Sequence, residues 1–205
     1  MKRLVFASLI SLLALSAQAV TIDWGKATSG QAEHAYTNQT SANHLSNKLN
    51  SAEVWTVGAV LTVKGDIGTL TSWPSIIGVT KTSDSDSAFR FVLNNGTAGT
   101  VGISTPGSVV SASGDPVTLE TGKSYEFVIS HSADNTLAFY IDGVLYGSAT
   151  VDETFTNIVW GKQGKDSNRL WEGDRANAFT MDVYYSTEGD YAALKEKYSP
   201  EAIPE

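Results

Sequence analysis

The chain has 205 residues and no cysteine. Disulfides are therefore excluded, and stability must come from the packed core rather than from cross-links. Histidine is nearly absent as well. His34, His44 and His131 form neither a His-x-x-x-His nor a His-Glu pair, so a catalytic zinc site has no support. No Gly-x-Ser-x-Gly elbow is present to activate a serine, although serines are abundant. Basic residues are few, 14 Lys and Arg against 22 Asp and Glu, and they do not cluster. Without a cationic patch to release phosphate counterions, a nucleic-acid role is disfavoured, and the acidity suits solubility outside a cell. No repeat of fixed period and no low-complexity tract appears.

Long apolar runs are also missing. The longest, Leu4 to Leu15, is well short of the ~20 residues that cross a bilayer. It follows Lys2 and Arg3 and precedes Ala17-Gln18-Ala19, which is the pattern of a secretory signal peptide comprising residues 1–19. Residues 20–205 then form the exported protein, and the net charge of −8 becomes −10 once Lys2 and Arg3 are removed. That length suits one domain with a two-sheet core. An exported protein without disulfides points to a bacterial secreted, periplasmic or cell-surface location.

What the sequence does contain is period-two alternation between turn signals. Tyr125, Phe127 and Ile129 alternate with Glu126, Val128 and Ser130; Asp134-Asn135 turns the chain; Leu137, Phe139 and Ile141 alternate with Ala138 and Tyr140. Asp142-Gly143 then tolerates the positive φ of a two-residue hairpin, and residues 144–151 lead away as a third strand. Further strands are expected at 54–63, 75–80, 88–93, 100–104, 117–119, 156–161 and 178–185, and a short one at 21–24. This spacing, without helical periods, predicts a sandwich. Residues 25–51 read as a long polar surface loop with a turn of helix near 42–49. At the other end, Ser186-Thr187 and Asp190 to Tyr198 predict a short hydroxyl-capped helix with a carboxylate in its first turn, stopped by Pro200.

The run from Thr121 through the Tyr140-Ile-Asp142-Gly143 hairpin, with its glycine-lysine turn, resembles the central signature of concanavalin A-like lectin/glucanase modules, and of their laminin G-like branch in particular. Phe179-Thr-Met-Asp-Val-Tyr-Tyr185 followed by a serine-led helix is similar to the way laminin G-like modules finish. The resemblance covers roughly residues 54–198. It implies an all-β, concanavalin A-like jelly-roll sandwich of two antiparallel sheets with a short C-terminal helix, and a carbohydrate-binding or adhesive function.

Glucanases of that superfamily carry E-x-D-x-E on one strand, since alternation sets acid and nucleophile ~5 Å apart on one face. No such run exists here. Asp152-Glu153 point to opposite faces, and Glu172-Gly-Asp174 lies in a Gly-rich loop; both read as solvated turn residues. Calcium is the metal to weigh, because Thr82 to Ser87, with Asp84 and Asp86, concentrates side-chain oxygens. The segment lacks the sharp-turn glycine and closing glutamate of an EF-hand, so calcium stays open beside a plain hydrophilic loop.

Aromatic placement is the stronger lead. Residues 160–175 gather Trp160, Asn168, Arg169, Trp171, Asp174 and Arg175 into one glycine-rich excursion. A tryptophan face suits the C–H face of a sugar ring, while Asp, Asn and Arg exchange hydrogen bonds with its hydroxyls. Trp171, Arg169, Asp174 and Asn168, with Trp73 from another loop, are the expected carbohydrate contacts. Trp160 reads as core, and Trp24 and Trp55 as structural residues within strands. The expected protein is a non-catalytic, lectin-like binder of a glycan or cell-surface polysaccharide. The alternatives are an envelope structural or protein-interaction component without sugar binding and, third, a divergent glycoside hydrolase or polysaccharide lyase. A lone module gains avidity through an oligomer or a larger complex, which is the partner arrangement its length suggests.

Overall fold

A computed structural model describes residues 21–27, 30–32, 44–65, 75–81, 89–93, 99–106, 111–112, 115–161 and 179–199. They form twelve strands and one helix: β1 (Gly30–Ala32), β2 (His44–Leu45), β3 (Trp55–Val63), β4 (Ser75–Thr80), β5 (Phe89–Leu93), β6 (Val101–Ser104), β7 (Ser111–Ala112), β8 (Ser124–His131), β9 (Thr136–Ile141), β10 (Val144–Thr150), β11 (Asn157–Trp160), β12 (Phe179–Ser186) and α1 (Tyr191–Tyr198). A seven-stranded sheet, β1-β12-β3-β8-β9-β10-β7, faces a five-stranded sheet, β2-β11-β4-β5-β6. The strand pairs are antiparallel. The all-β sandwich with a short C-terminal helix expected from the alternation is therefore present.

The β8-β9-β10 meander follows its turn residues. Asn135 (φ 62°) occupies the first turn, and Asp142 (φ 48°) with Gly143 (φ 78°) supplies both left-handed positions of the second. Asp142 also reaches back, its Oδ1 accepting from the Glu126 amide at 2.7 Å while its own amide donates to the Glu126 carbonyl at 2.8 Å.

Alternation then sorts each strand into two faces. The inner faces meet in one buried cluster. It takes Val57, Leu61, Phe127, Ile129, Phe139 and Met181 from the larger sheet, and Val79, Phe89, Phe91, Leu93, Ile158 and Trp160 from the smaller. Aromatic edges interlock across the gap: Phe91 lies 5.1 Å from Phe127 and 5.2 Å from Phe139, and Phe155 bridges Trp55 and Phe89 at 5.6 and 5.5 Å, all edge-on. Trp160 belongs to this core, as expected.

The outer face of the larger sheet is covered by the chain itself. Residues 21–27 make a turn rather than the expected strand, and this turn lays the Trp24 indole across the sheet. Gly58 makes that approach feasible, since a Cβ there would come within 2.6 Å of Trp24 Cε2. Trp24 stacks on Tyr184 at 5.7 Å, and Tyr191 of α1 stacks on Tyr140 at 4.0 Å. Thr56 Oγ1 donates to the Gly189 carbonyl and Ser130 Oγ accepts from the Tyr191 amide at 2.7 Å, which seats the helix start. Ser199 Oγ donates to the Thr21 carbonyl at 3.0 Å and joins the two covering segments.

Three local expectations are corrected. The described part of residues 25–51 contains β1 and β2, which pair with different sheets, and no helix. Asn47, Asn50 and Ser51 adopt positive φ (57°, 53°, 56°), which breaks the helical path, and Leu49 is fully buried in the core. The helix cap is a carboxylate and not a hydroxyl: Asp190 Oδ1 accepts from the Ala193 amide at 3.0 Å, while Ser186 Oγ accepts from the Glu188 amide, and the first turn carries no acid. Residues 117–119 form only an isolated bridge, Thr118 to Thr100.

Phe91→Ala should cost about 3–5 kcal/mol through the lost aromatic contacts and the cavity, whereas Asp190→Ala should cost about 1 kcal/mol through the lost cap. Urea unfolding of both variants measures the contrast, and equal losses would contradict it.

Candidate functional site

The strand registers decide which loops share an end. β3 finishes at Val63, which pairs with Phe179 at the start of β12. In the other sheet, Trp160 at the end of β11 pairs with Ile77 near the start of β4, and the Gly161 amide donates to the Ile76 carbonyl at 3.1 Å. The excursions 66–74 and 162–178 thus leave and enter the sandwich at the same two pairs of anchors. The link 94–98 also starts there, because Val92 pairs with Ser75. By contrast, 82–88 leaves from the other end of β4, where Thr80 pairs with Asn157. The candidate calcium segment is therefore anchored at the end of the smaller sheet opposite the candidate sugar loops.

Trp171, Arg169, Asp174, Asn168 and Trp73 lie outside the described residues, as do Glu172, Arg175 and Thr82 to Ser87. What the structure brings together is the pair of anchors on which the first five are carried.

Among the described residues, the other sequence candidates resolve into structural roles. Glu153 accepts an ion pair from Lys81 at 3.2 Å on the surface, in keeping with a solvated turn. His131 is the buried last residue of β8 rather than a turn residue. It stacks on Trp55 at 5.6 Å, and its Nδ1 lies 2.6 Å from the Glu53 carbonyl. Trp55 is fully buried in β3, and Trp24 is buried but outside any strand. No group of three or more His, Asp or Glu residues able to hold a metal occurs among the described residues. No described helix is long and apolar enough to cross a membrane.

Two buried charges were not singled out from the sequence. Arg90 alternates with Phe89 and Phe91, which places it on the outer face of the smaller sheet in a cross-strand row with Ser104, Gly78 and Val159. It is 5% exposed. The alternating Phe-Arg-Phe of β5 was the available signal: aromatics on one face require that the cation occupy the other. Gly78 gives the arginine stem its room, since a Cβ there would lie 2.6 Å from Arg90 Cβ and 3.0 Å from the Phe89 carbonyl oxygen. The second is Glu126, on the outer face of the larger sheet. The Trp24 indole N–H donates to its Oε1 at 2.6 Å, and its Oε2 is buried without a hydrogen bond. Burial pushes its carboxyl up to about 7, only partly offset by Trp24 and the Ile22 amide. The same hairpin residue that receives the Glu126 amide, Asp142, is also raised by burial.

No protein-family model matches the sequence, and no curated protein matches it either. Solved structures do resemble it in shape. Trypanosoma rangeli sialidase in complex with sialic acid aligns at 15% identity and TM-score 0.51 over 72% of this chain and 22% of that one. The same enzyme with 2,3-difluorosialic acid, a covalent intermediate, aligns at 15% and 0.51 with the same coverage. The botulinum neurotoxin serotype D binding domain gives 14% identity and TM-score 0.42 over 78% of this chain and 43% of that one, too slight a likeness to build on. This chain spans under a quarter of the sialidase, and at these identities the likeness is one of fold, a β-sandwich.

Gly78→Ala should destabilise the protein by about 1–3 kcal/mol, because the new methyl meets the Phe89 carbonyl and the Arg90 Cβ, which is fixed to the backbone and cannot swing away. Thermal unfolding measures it; an unchanged midpoint would refute the close approach of β4 to Arg90.

Proposed function

We propose that this protein is an exported, non-catalytic carbohydrate-binding module of concanavalin A-like, laminin G-like type. Its glycan site is assigned to the end of the sandwich from which residues 66–74 and 162–178 depart. The shared anchors carry this reading: Val63 opposite Phe179 and Ile77 opposite Trp160 tie the loop bearing Trp73 to the loop bearing Asn168, Arg169, Trp171 and Asp174. The ends of a sandwich are where recognition residues are displayed, since the strands cannot vary without loss of the core. Trp171 and Trp73 are the side chains whose aromatic faces suit a sugar ring, and Arg169, Asp174 and Asn168 are those suited to directional hydrogen bonds. The absence of an E-x-D-x-E run in the sequence supports binding without hydrolysis.

A second reading, a protein-binding envelope component, draws support from Val144 and Leu145. They are 55% and 44% exposed at the start of β10, beside the Asp142-Gly143 turn.

Residues 20–205 screened on a glycan array, with and without calcium, should bind one sugar class. Trp171→Ala should abolish that binding while leaving the unfolding midpoint within a degree or so. A blank array under both conditions would overturn the lectin reading in favour of the protein-binding one. Release of reducing sugar by the pure protein would overturn its non-catalytic part.

A further inference from the structure

The outer face of the seven-stranded sheet holds a polar device that sugar binding does not use. Glu126 sits on β8 in a cross-strand row with Val60 on β3, Asp182 on β12 and Asp142 at the β9–β10 turn. Over this row and the next lie the two segments that cover the face. Trp24, from residues 21–27, rests on Gly58 and donates its indole N–H to Glu126 Oε1 at 2.6 Å. Tyr191 and Leu194 of α1 pack into the same buried cluster with Ile22, Ala27 and Val128. The two segments are joined by the Ser199 hydroxyl and the Thr21 carbonyl.

We propose that residues 21–27 and α1 form one lid over the seven-stranded sheet, shut while Glu126 carries a proton and loosened when Glu126 ionises. The geometry gives the reason. Glu126 is 5% exposed; Trp24 holds one oxygen, the other is buried without a close hydrogen bond, and the Ile22 amide offsets the burial only in part. A neutral carboxyl tolerates that setting, whereas a carboxylate needs water or a close cation. The way to supply water is to lift the lid.

The charges around it do not relieve the carboxylate. From the sheet come Asp142 and Asp182, both acidic, and Tyr140 and Tyr184. From the helix come Tyr191, Asp190 and Lys195; Lys195 favours the carboxylate only weakly, as the least of the contributions at Glu126, and its Nζ lies over the Tyr191 ring at 5.2 Å. From the N-terminal segment come Asp23 and Lys26, which pair with each other at 3.3 Å on the surface. Tyr140, Tyr184 and Tyr191 are each pushed upward by burial, so they stay neutral across the neutral range.

The direction in pH follows. With the lid shut, burial holds the Glu126 carboxyl near 7; with the lid open, it returns to its ordinary value of 4.5. The shut form therefore binds the proton more tightly. Closure is at full strength below 4.5, weakens as pH rises to 7 and levels off above. A difference of this size loosens the lid by roughly 10²-fold across that window.

Hydrogen exchange followed by NMR at pH 4.5 to 8 tests this on the whole protein, with rates referred to the intrinsic rate at each pH. The Trp24 indole N–H and the Leu194 amide should lose protection by up to about 10²-fold between pH 4.5 and 7. The Val57 amide in β3 should stay protected. Glu126→Gln should keep both lid probes protected at every pH. Asp142→Asn retains an oxygen for the Glu126 amide but removes a negative neighbour, so its transition should persist and move to lower pH, which separates Glu126 from Asp142 as the titrating group. Protection in the native protein that does not change with pH would overturn the proposal. So would a transition that survives in Glu126→Gln, or Val57 exchange that follows the lid probes and so reports global unfolding.

Discussion

Everything in this molecule depends on the burial of two sheet faces against each other around Phe91. Its ring meets Phe127 and Phe139 of the opposite sheet edge-on at 5.1 and 5.2 Å, so the sheets are keyed by aromatic geometry as well as by excluded water. With no disulfide to hold the layers, this core must keep the two sheets together. Each strand then has one face committed, and what happens on the other is decided by what covers it.

The larger sheet shows how demanding that second face is. Its outer rows carry Glu126, Ser130, Thr56 and three aromatic or glycine positions, a composition that alternation alone would assign to solvent. Residues 21–27 and α1 instead cover them. Hydrogen bonds from Trp24, to Gly189 and from Tyr191 satisfy the polar groups, and Gly58 leaves the gap that the indole fills. Glu126 is the exception: burial beneath the covering segments holds its carboxyl near 7, despite the hydrogen bonds it receives. The smaller sheet solves the analogous problem at Arg90, whose stem runs past Gly78.

Strand ends are the part of a sandwich free to vary, and here the registers separate them by chemistry. The loops rich in tryptophan, arginine and amides are anchored together, while the Asp- and Ser-rich segment departs from the opposite end of β4. A glycan reader built on such an end would owe its rigidity to the core and its specificity to the loops.

Period-two alternation and turn chemistry were sufficient to place the long strands, because a half-buried strand and a two-residue hairpin each leave a local imprint: β12, expected at 178–185, spans Phe179–Ser186 with buried positions that alternate along most of it, and Asp142-Gly143 adopts the positive φ its residues permit. The same local logic read Trp160 as core. It failed where the determinant was not local. β1 and β2 are too short to show a period and exist because an edge of each sheet offers them hydrogen bonds. Trp24 reads as a strand residue until Gly58 and Glu126, the latter 102 positions away, are seen to receive it. Glu126 lies on the face opposite Tyr125 and Phe127, and it is two covering segments that bury it. Its alternation with Tyr125 and Phe127 was decided by the sequence alone; its burial, its shifted proton affinity and its partner were decided only by tertiary structure, because desolvation depends on atoms brought from elsewhere in the chain.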